Sequence, residues 1–344
     1  MEKVFFGPGN SVWQCLFMDI YYSEDVEYCD FNSKCNTRFK EILVQSRFAK
    51  YIPHGIKRKI YKKILKYKFL CLKRNVEIFF AFTNGFEMFG DTVFFDFLKF
   101  LKREYKKAKF ALHYDEAIEH CYTEQLPKIK QNFDLVLGFN RYDEKDYGVE
   151  YYGPICENGM VPPYGEGEQS DLFYTGGFSK AGRSVVVLNV FKKVSDANRK
   201  CLFFMTGIKP NLQQEMAKDL GVFLEEKDGV NYLNYKKSKF IFRYLPYASA
   251  LPYINQTKAL LEVVYPVGMQ SCTPRLAQAM NAGKKLITNC PAIKEEKYYC
   301  KENFLYFDVA GDIDVEFFDI PIKPIEYDFS GRAMLNFMIK RLFN

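Results

Sequence analysis

Histidine and tryptophan are scarce in this chain, with three His and one Trp among 344 residues. His54, His113 and His120 do not fall at zinc-ligand spacing with cysteine, and the ten cysteines include no C-x-x-C pair. A structural zinc site therefore has little support. A disulfide framework does not suit a chain this large, so the cysteines read as free thiols in a reducing cytosol. No apolar run reaches the roughly 20 residues that span a bilayer. The opening MEKVFFGPGNSVW is broken by Gly-Pro-Gly and lacks a long signal-peptide core. The expectation is a protein neither exported nor threaded through a membrane. No Asp-x-Asp motif is placed to serve a pyrophosphate, and no acidic residue completes the partial G-x-G-x-x-G of GPGNSV at 7–12. Metal independence is expected, and a dinucleotide cofactor is not.

What is present is aromatic and basic. Phe and Tyr number 34 and 25, and the formal charge is +7. That charge admits an anionic partner: nucleic acid, anionic lipid or sugar nucleotide. The length suits two domains. Apolar strands alternate with amphipathic helices. Strands are expected at 4–6, 76–82, 108–113, 133–138, 171–175, 201–206, 259–264 and 285–288. Helices are expected at 53–74, 91–107, 183–196, 211–219, 247–256, 273–282 and 332–343. This alternation predicts parallel sheets with covered faces. Between the halves lies GPICENGMVPPYGEGEQS, 153–170, with three prolines and four glycines in eighteen residues. The expected organisation is a first Rossmann-like domain over 1–155, a linker over 156–170 and a second Rossmann-like domain over 171–330. The helix of 331–344 would pack back on the first domain. Two such halves predict a cleft, with ligands at the carboxyl ends of the strands.

Two segments carry candidate anion chemistry. In QSCTPRLAQAMNAGKKLITN, 270–289, Ser271 and Thr273 stand where a helix starts and Pro274 suits its first turn. Free N–H groups and the helix dipole favour an anion there, and Arg275 adds a planar fork for phosphate. A capped helix with a surface arginine accounts for the same residues. In DLFYTGGFSKAGR, 171–183, a strand runs into Gly176 and Gly177, then Lys180 and Arg183. Glycines let backbone approach a phosphate, and the cations neutralise it. A glycine turn with solvated charges is the alternative.

These segments, with FDLVLGFNRYDEKDYGVEYYG (133–153) and RYLPYASALPYINQTKALLEV (243–263), resemble a family of bacterial glycosyltransferases of surface-polysaccharide synthesis (capsule, lipopolysaccharide). That family has the two-Rossmann architecture called GT-B. The resemblance covers most of 133–307. It implies that Lys180, Arg183, Ser271, Thr273 and Arg275 hold a nucleotide diphosphate, and that Gly176, Gly177 and Gln270 belong to the same expected donor site. It also implies that Arg243, Tyr244 and Tyr247 pack near the base, with Glu262 close to the ribose or sugar. Cys272 stands where the family has glycine, and Gln278 where it has glutamate. An amide still donates and accepts hydrogen bonds, so the difference bears on donor choice rather than on activity.

Inverting sugar transfer needs a group to take the acceptor's proton. Asp115, after strand 108–113, is the favoured base, with Glu87, after strand 76–82, as second choice; Asp91, His113 and Glu116 are neighbouring alternatives. A retaining enzyme need not use any of them. The stretch IPHGIKRKIYKKILKYKFLCLKR, 52–74, has nine Lys/Arg and no acid. At ~100° per residue, Lys59, Lys62, Lys63, Lys66 and Lys73 share one helix face, opposite an apolar stripe. This face predicts attraction to an anionic membrane surface, or it is simply solvated. No recognition motif supports nucleic acid.

The expected function is transfer of a sugar from a nucleotide donor to a glycan or lipid-linked glycan acceptor. The enzyme would be cytoplasmic, peripheral on the inner membrane face, and would use the nucleotide sugar as substrate rather than cofactor. A nucleotide-sugar epimerase of the same architecture, and a noncatalytic basic membrane adaptor, are the alternatives.

Overall fold

A computed structural model describes residues 2–7, 20, 23–30, 75–82, 90–114, 118, 123–156, 169–177, 181–264 and 271–344. Contacts divide the chain into two compact units, Met1–Tyr152 with Ser330–Asn344, and Gly153–Phe329. The division falls at 152/153. Residues 153–156 belong to the second unit, where the Cys156 N–H donates to the Phe329 carbonyl at 2.8 Å. Residues 157–168, most of the linker expected from sequence, lie outside the described residues.

The first unit carries β1 (Glu2–Gly7), β2 (Val26–Asp30), β3 (Val76–Phe82), α1 (Gly90–Glu104), β4 (Lys109–His113), α2 (Leu126–Asn132), β5 (Leu135–Gly138), α3 (Tyr142–Tyr147) and β6 (Glu150–Tyr151). Its six-stranded sheet has the order β2-β1-β3-β4-β5-β6, and every pairing is parallel. Such a sheet is covered on both faces, which is why Ile78, Phe79 and Phe80 are buried in succession rather than alternately. Phe95, Leu98 and Leu101, at helical spacing on α1, close one face over Phe79 and Phe110. Those two rings stack at 5.1 Å. The last helix of the chain, which becomes α8 below, also belongs here. Ser330 caps it by accepting the Ala333 N–H at 3.0 Å, and Met334, Leu335 and Met338 are buried.

The second unit carries β7 (Ser170–Gly177), α4 (Ala181–Asp196), β8 (Cys201–Thr206), α5 (Pro210–Leu220), β9 (Glu225–Lys227), β10 (Val230–Tyr235), β11 (Ser238–Ile241), α6 (Tyr247–Asn255), β12 (Thr257–Glu262), α7 (Pro274–Asn281), β13 (Lys285–Thr288) and β14 (Phe304–Tyr306). The helix α8 (Gly331–Phe343) then returns to the first unit. The sheet order is β14-β13-β12-β7-β8-β11-β10-β9. From β14 to β11 the strands are parallel; β10 runs antiparallel to both its neighbours. Six short strands, β2, β6, β9 to β11 and β14, and the short α2 and α3 were not expected from sequence. The helix expected at 53–74 lies outside the described residues. Among the described residues no helix is long and apolar enough to cross a membrane.

Lys284, just before β13, and Lys285, its first residue, are structural. Lys284 Nζ donates to the Asn255 carbonyl at 2.7 Å. Lys285 is 4% exposed, donates to the Phe317 carbonyl and lies 4.7 Å from the Phe317 ring centroid. They tie β13 to the loops on either side of it.

Candidate functional site

In the second unit, β7 and β12 are adjacent parallel strands, so the loops after them emerge side by side at the carboxyl edge. α4 begins after β7 and α7 after β12. The segments flagged from sequence meet here.

The turn entering α7 is organised by Glu262, the last residue of β12, which is 1% exposed. Its Oε1 accepts both the backbone N–H and the hydroxyl of Thr273, each at 2.6 Å. Its Oε2 accepts the Thr288 hydroxyl at 2.6 Å, and Thr288 Oγ1 in turn accepts the Cys290 N–H at 3.0 Å. Burial pushes the Glu262 carboxyl up, and the Thr273 and Thr288 donors oppose that shift. The resemblance placed Glu262 beside the ribose or sugar. In the structure both its oxygens help to fix the turn, so it acts as a positioning residue.

The helix start is also more fully used than expected. Thr273 is the N-cap, and its hydroxyl accepts the Arg275 N–H at 3.3 Å. The Thr273 N–H goes to Glu262, Pro274 has none, and the Leu276 N–H goes to the Thr273 carbonyl at 3.0 Å. The first-turn donors that would cradle a phosphate are therefore occupied within the protein. Ser271 and Cys272 are buried beneath the turn. The Cys272 thiol, hydrogen-bonded to Cys290 and buried, is held well above its ordinary value and stays protonated. The side chain that replaces the family's glycine thus fills a closed slot.

What the turn presents is Arg275. Its Nη1 donates to the Leu261 carbonyl at 3.1 Å and its Nη2 to the Thr175 carbonyl. Its guanidinium sits 5.1 Å from the Tyr174 ring centroid and hydrogen-bonds the Tyr174 hydroxyl. Burial pulls the guanidinium downward, with Tyr174 and Glu262 working against that. Arg183, in the first turn of α4, lies close enough to act electrostatically on both Arg275 and Tyr174. Its Nε is buried with no hydrogen-bond partner among the described residues. Two half-buried guanidiniums thus lie near one another, and the carboxylate acting on Arg275 among the described residues, Glu262, already accepts hydrogen bonds at both oxygens. An orphaned buried N–H beside a like charge is unfavourable unless an anion completes it.

The glycines differ in their reasons. A Cβ on Gly176 would come within 2.5 Å of the Tyr174 hydroxyl oxygen, whereas one on Gly177 would meet nothing within 4 Å among the described residues. Gly176 makes room for Tyr174; Gly177 is the glycine that leaves backbone open to solvent. Gln278 is half-buried one turn along α7 from Arg275. Arg243 is exposed and lies 5.4 Å from the Phe204 ring centroid, Tyr244 is 57% exposed, and Tyr247 opens α6 half-buried. These three follow β11, on the same sheet edge.

Lys180, Gln270, Asp115, Glu87 and the lysines at 59, 62, 63, 66 and 73 lie outside the described residues. In the first unit His113, an alternative base, is 1% exposed and meets the Tyr152 ring edge-on at 6.4 Å. Burial lowers it to about 4, so it is neutral at pH 7 and sealed in the sheet. Among the described residues no cluster of His, Cys, Asp and Glu could hold a metal ion.

No family model and no curated protein sequence matches this chain. Solved structures do. The chain is similar to HepE of Anabaena in complex with UDP and glucose, with 10% identity, 93% of this chain and 89% of that one covered, and a TM-score of 0.52. It is similar to the N-terminal domain of trehalose-6-phosphate phosphatase from Candida albicans, with 9% identity, 92% and 87% coverage and a TM-score of 0.55. It is also similar to the catalytic domain of starch synthase IV from Arabidopsis thaliana bound to ADP and acarbose, with 7% identity, 85% and 78% coverage and a TM-score of 0.52. At these identities the likeness is one of fold. The chain is an α/β protein with two Rossmann-like sheets, the GT-B architecture.

Proposed function

We propose that the chain is a glycosyltransferase whose second unit binds the diphosphate of a nucleotide sugar at Arg183 and Arg275. One observation carries this reading: Arg183 Nε is buried with no partner among the described residues, close to the Arg275 guanidinium. A diphosphate supplies the oxygens that corner lacks. Arg275 is already oriented by two carbonyls, so its remaining donors are pre-aimed, and little entropy is lost on binding. Gly177 leaves backbone accessible at the same edge. The fold likeness to proteins holding UDP with glucose, or ADP with acarbose, fits this reading.

On donor cleavage the leaving diphosphate gains negative charge. Two fixed guanidiniums in a largely dry corner stabilise that charge more than they stabilise the bound donor, which is the condition for catalysis. No metal is needed for this in our reading. The acceptor is a surface glycan, presented on lipid at the inner membrane face, and the lysine face of 59–73 holds the enzyme there. Asp115 takes the acceptor proton if transfer inverts.

The test is a mass-spectrometric screen of nucleotide sugars for turnover, paired with calorimetry of UDP, ADP and GDP binding to wild type and Arg183→Gln. Binding of one nucleotide diphosphate, weakened about tenfold or more in the variant, is expected for a charge-assisted contact. Equal affinity in both proteins removes the diphosphate assignment. Epimerised nucleotide sugar without transfer would point to the epimerase instead.

A further inference from the structure

The sheet of the second unit continues three strands beyond β8, and its two faces there differ. On one face Leu233 and Phe240 join the core with Phe191 of α4 and Met216 and Leu220 of α5. On the other, α6 lays Tyr253 over Phe173 and Phe204 at 5.8 and 5.3 Å between centroids. Past Phe204 the face opens, among the described residues, into a depression of about 440 Å³. It is lined by Val230, Tyr232 and Asn234 of β10 and Lys239 and Ile241 of β11, with Lys227, Asp228 and Arg243 at its end. The volume lies within the range of about 300–1,000 Å³ typical of small-ligand sites.

The floor is rigid for a local reason. Lys227 pairs with Val230 across a two-residue turn, and Asp228 and Gly229 have φ of 53° and 74°. That is the left-handed pair of a tight hairpin, whose twist matches its strands. Alternation along β10 and β11 then places Val230, Tyr232 and Asn234 beside Arg243, Ile241 and Lys239 on one face.

The lining chemistry is mixed. Three cations, Lys227, Lys239 and Arg243, face one carboxylate at the turn, Asp228. At the border Glu225 accepts from Asn234 Nδ2 at 2.9 Å and hydrogen-bonds the Tyr232 hydroxyl, which fixes the amide and the ring. A nucleic-acid strand fits poorly, because there is one ring, Tyr232, for successive bases to stack on. An apolar peptide would strip water from the charged side chains that line the face and offer them no polar group. A sugar acid meets every group: its carboxylate pairs with lysine or arginine, its hydroxyls with Asp228 and Asn234, and its C–H face with Tyr232.

We infer that this face is a binding site for a short acidic oligosaccharide, separate from the diphosphate corner. It would hold a glycan chain by a segment away from the reacting end. The inference stands on this face alone and does not require the donor reading.

The experiment is calorimetry of the full chain with trigalacturonate and, as the neutral match, maltotriose. The proteins are wild type, Tyr232→Ala and the double variant Lys227→Gln/Lys239→Gln, with thermal melting to show that each is folded. Wild type should bind trigalacturonate at least about tenfold more tightly than maltotriose. The double variant should lose that preference, Tyr232→Ala should weaken both sugars, and UDP should not displace trigalacturonate. The inference is overturned if trigalacturonate does not bind, or if maltotriose binds as well. It also fails if folded variants bind like wild type, if UDP competes, or if a single-stranded oligonucleotide outcompetes the sugar.

Discussion

The hydroxyl of Tyr174 occupies the space that a side chain on Gly176 would need, with 2.5 Å between that oxygen and a Cβ built on the glycine. Tyr174 is 2% exposed, so it has nowhere to retreat. Gly176→Ala should therefore cost about 1–3 kcal/mol by overpacking and turn Tyr174 away from Arg275. Gly177→Ala, with open space around it, should melt like wild type. Thermal melting of the pair checks this, and equal melting of both variants would refute the steric account.

Arg275 and Arg183 should separate stability from affinity. Arg275 joins Leu261 of β12 to Thr175 of β7 through their carbonyls. Arg275→Ala should cost about 1.5–3 kcal/mol of stability as well as nucleotide affinity. Arg183→Gln removes a buried guanidinium N–H that has no partner among the described residues. It should leave the unliganded protein as stable as wild type or more so, while lowering affinity. Denaturant unfolding with and without UDP reads both effects.

Glu262→Gln keeps the shape but sets an amide NH2 against a threonine donor. It should cost about 1–3 kcal/mol and loosen the Thr273 turn. It should also change the pH profile. Burial raises the folded pKa of Glu262, so the folded state holds that proton more tightly than the unfolded chain does. Its contribution to stability then falls as pH rises from the unfolded value near ~4.3 through the raised folded value. The variant should lack that component, and unfolding midpoints across pH 4–8 would show whether it does.

The opposite sign applies at Asp25 in the first unit. Lys3 at 2.6 Å, Ser23 and Arg332 hold its carboxyl well below the ordinary range. The stabilisation is present above the unfolded pKa and is lost as pH falls through the folded one. The side chain is 51% exposed, so solvent limits the effect to about 0.2–1 kcal/mol. Asp25→Asn should remove that acid-range component and weaken the tie to α8, through Arg332 Nη1 at 3.0 Å. Amide exchange along α8 at pH 7 is the direct readout.

The strands expected at 76–82, 201–206 and 285–288 have those bounds in the structure. Each centres on successive buried apolar residues, Ile78–Ala81, Leu202–Met205 and Leu286–Ile287, a pattern that local sequence shows. The hairpin of β9 and β10 was missed although Asp228–Gly229 announces it. β9 is three exposed, charged residues and β10 buries only Leu233 fully, so periodicity alone does not mark them. Short α2 and α3 escaped for the same reason: LPKIKQN and YDEKDY carry too few turns for a period to show.

At the site, position after a strand was enough to single out Gly176, Arg183 and Arg275 from sequence. Their roles were not legible, because each depends on a partner far along the chain. Arg275 finds the Thr175 carbonyl 100 residues away, and Glu262 finds Thr288 across 26. A helix cap and a phosphate cradle have the same local sequence. Glu262 of β12 and Thr273 itself consume the first-turn donors of α7, and packing β7 beside β12 brings Arg183 near Arg275, its Nε buried with no partner among the described residues. Local propensity and burial pattern set the elements one by one. The chemistry of the corner follows from which strand ends the sheet brings together.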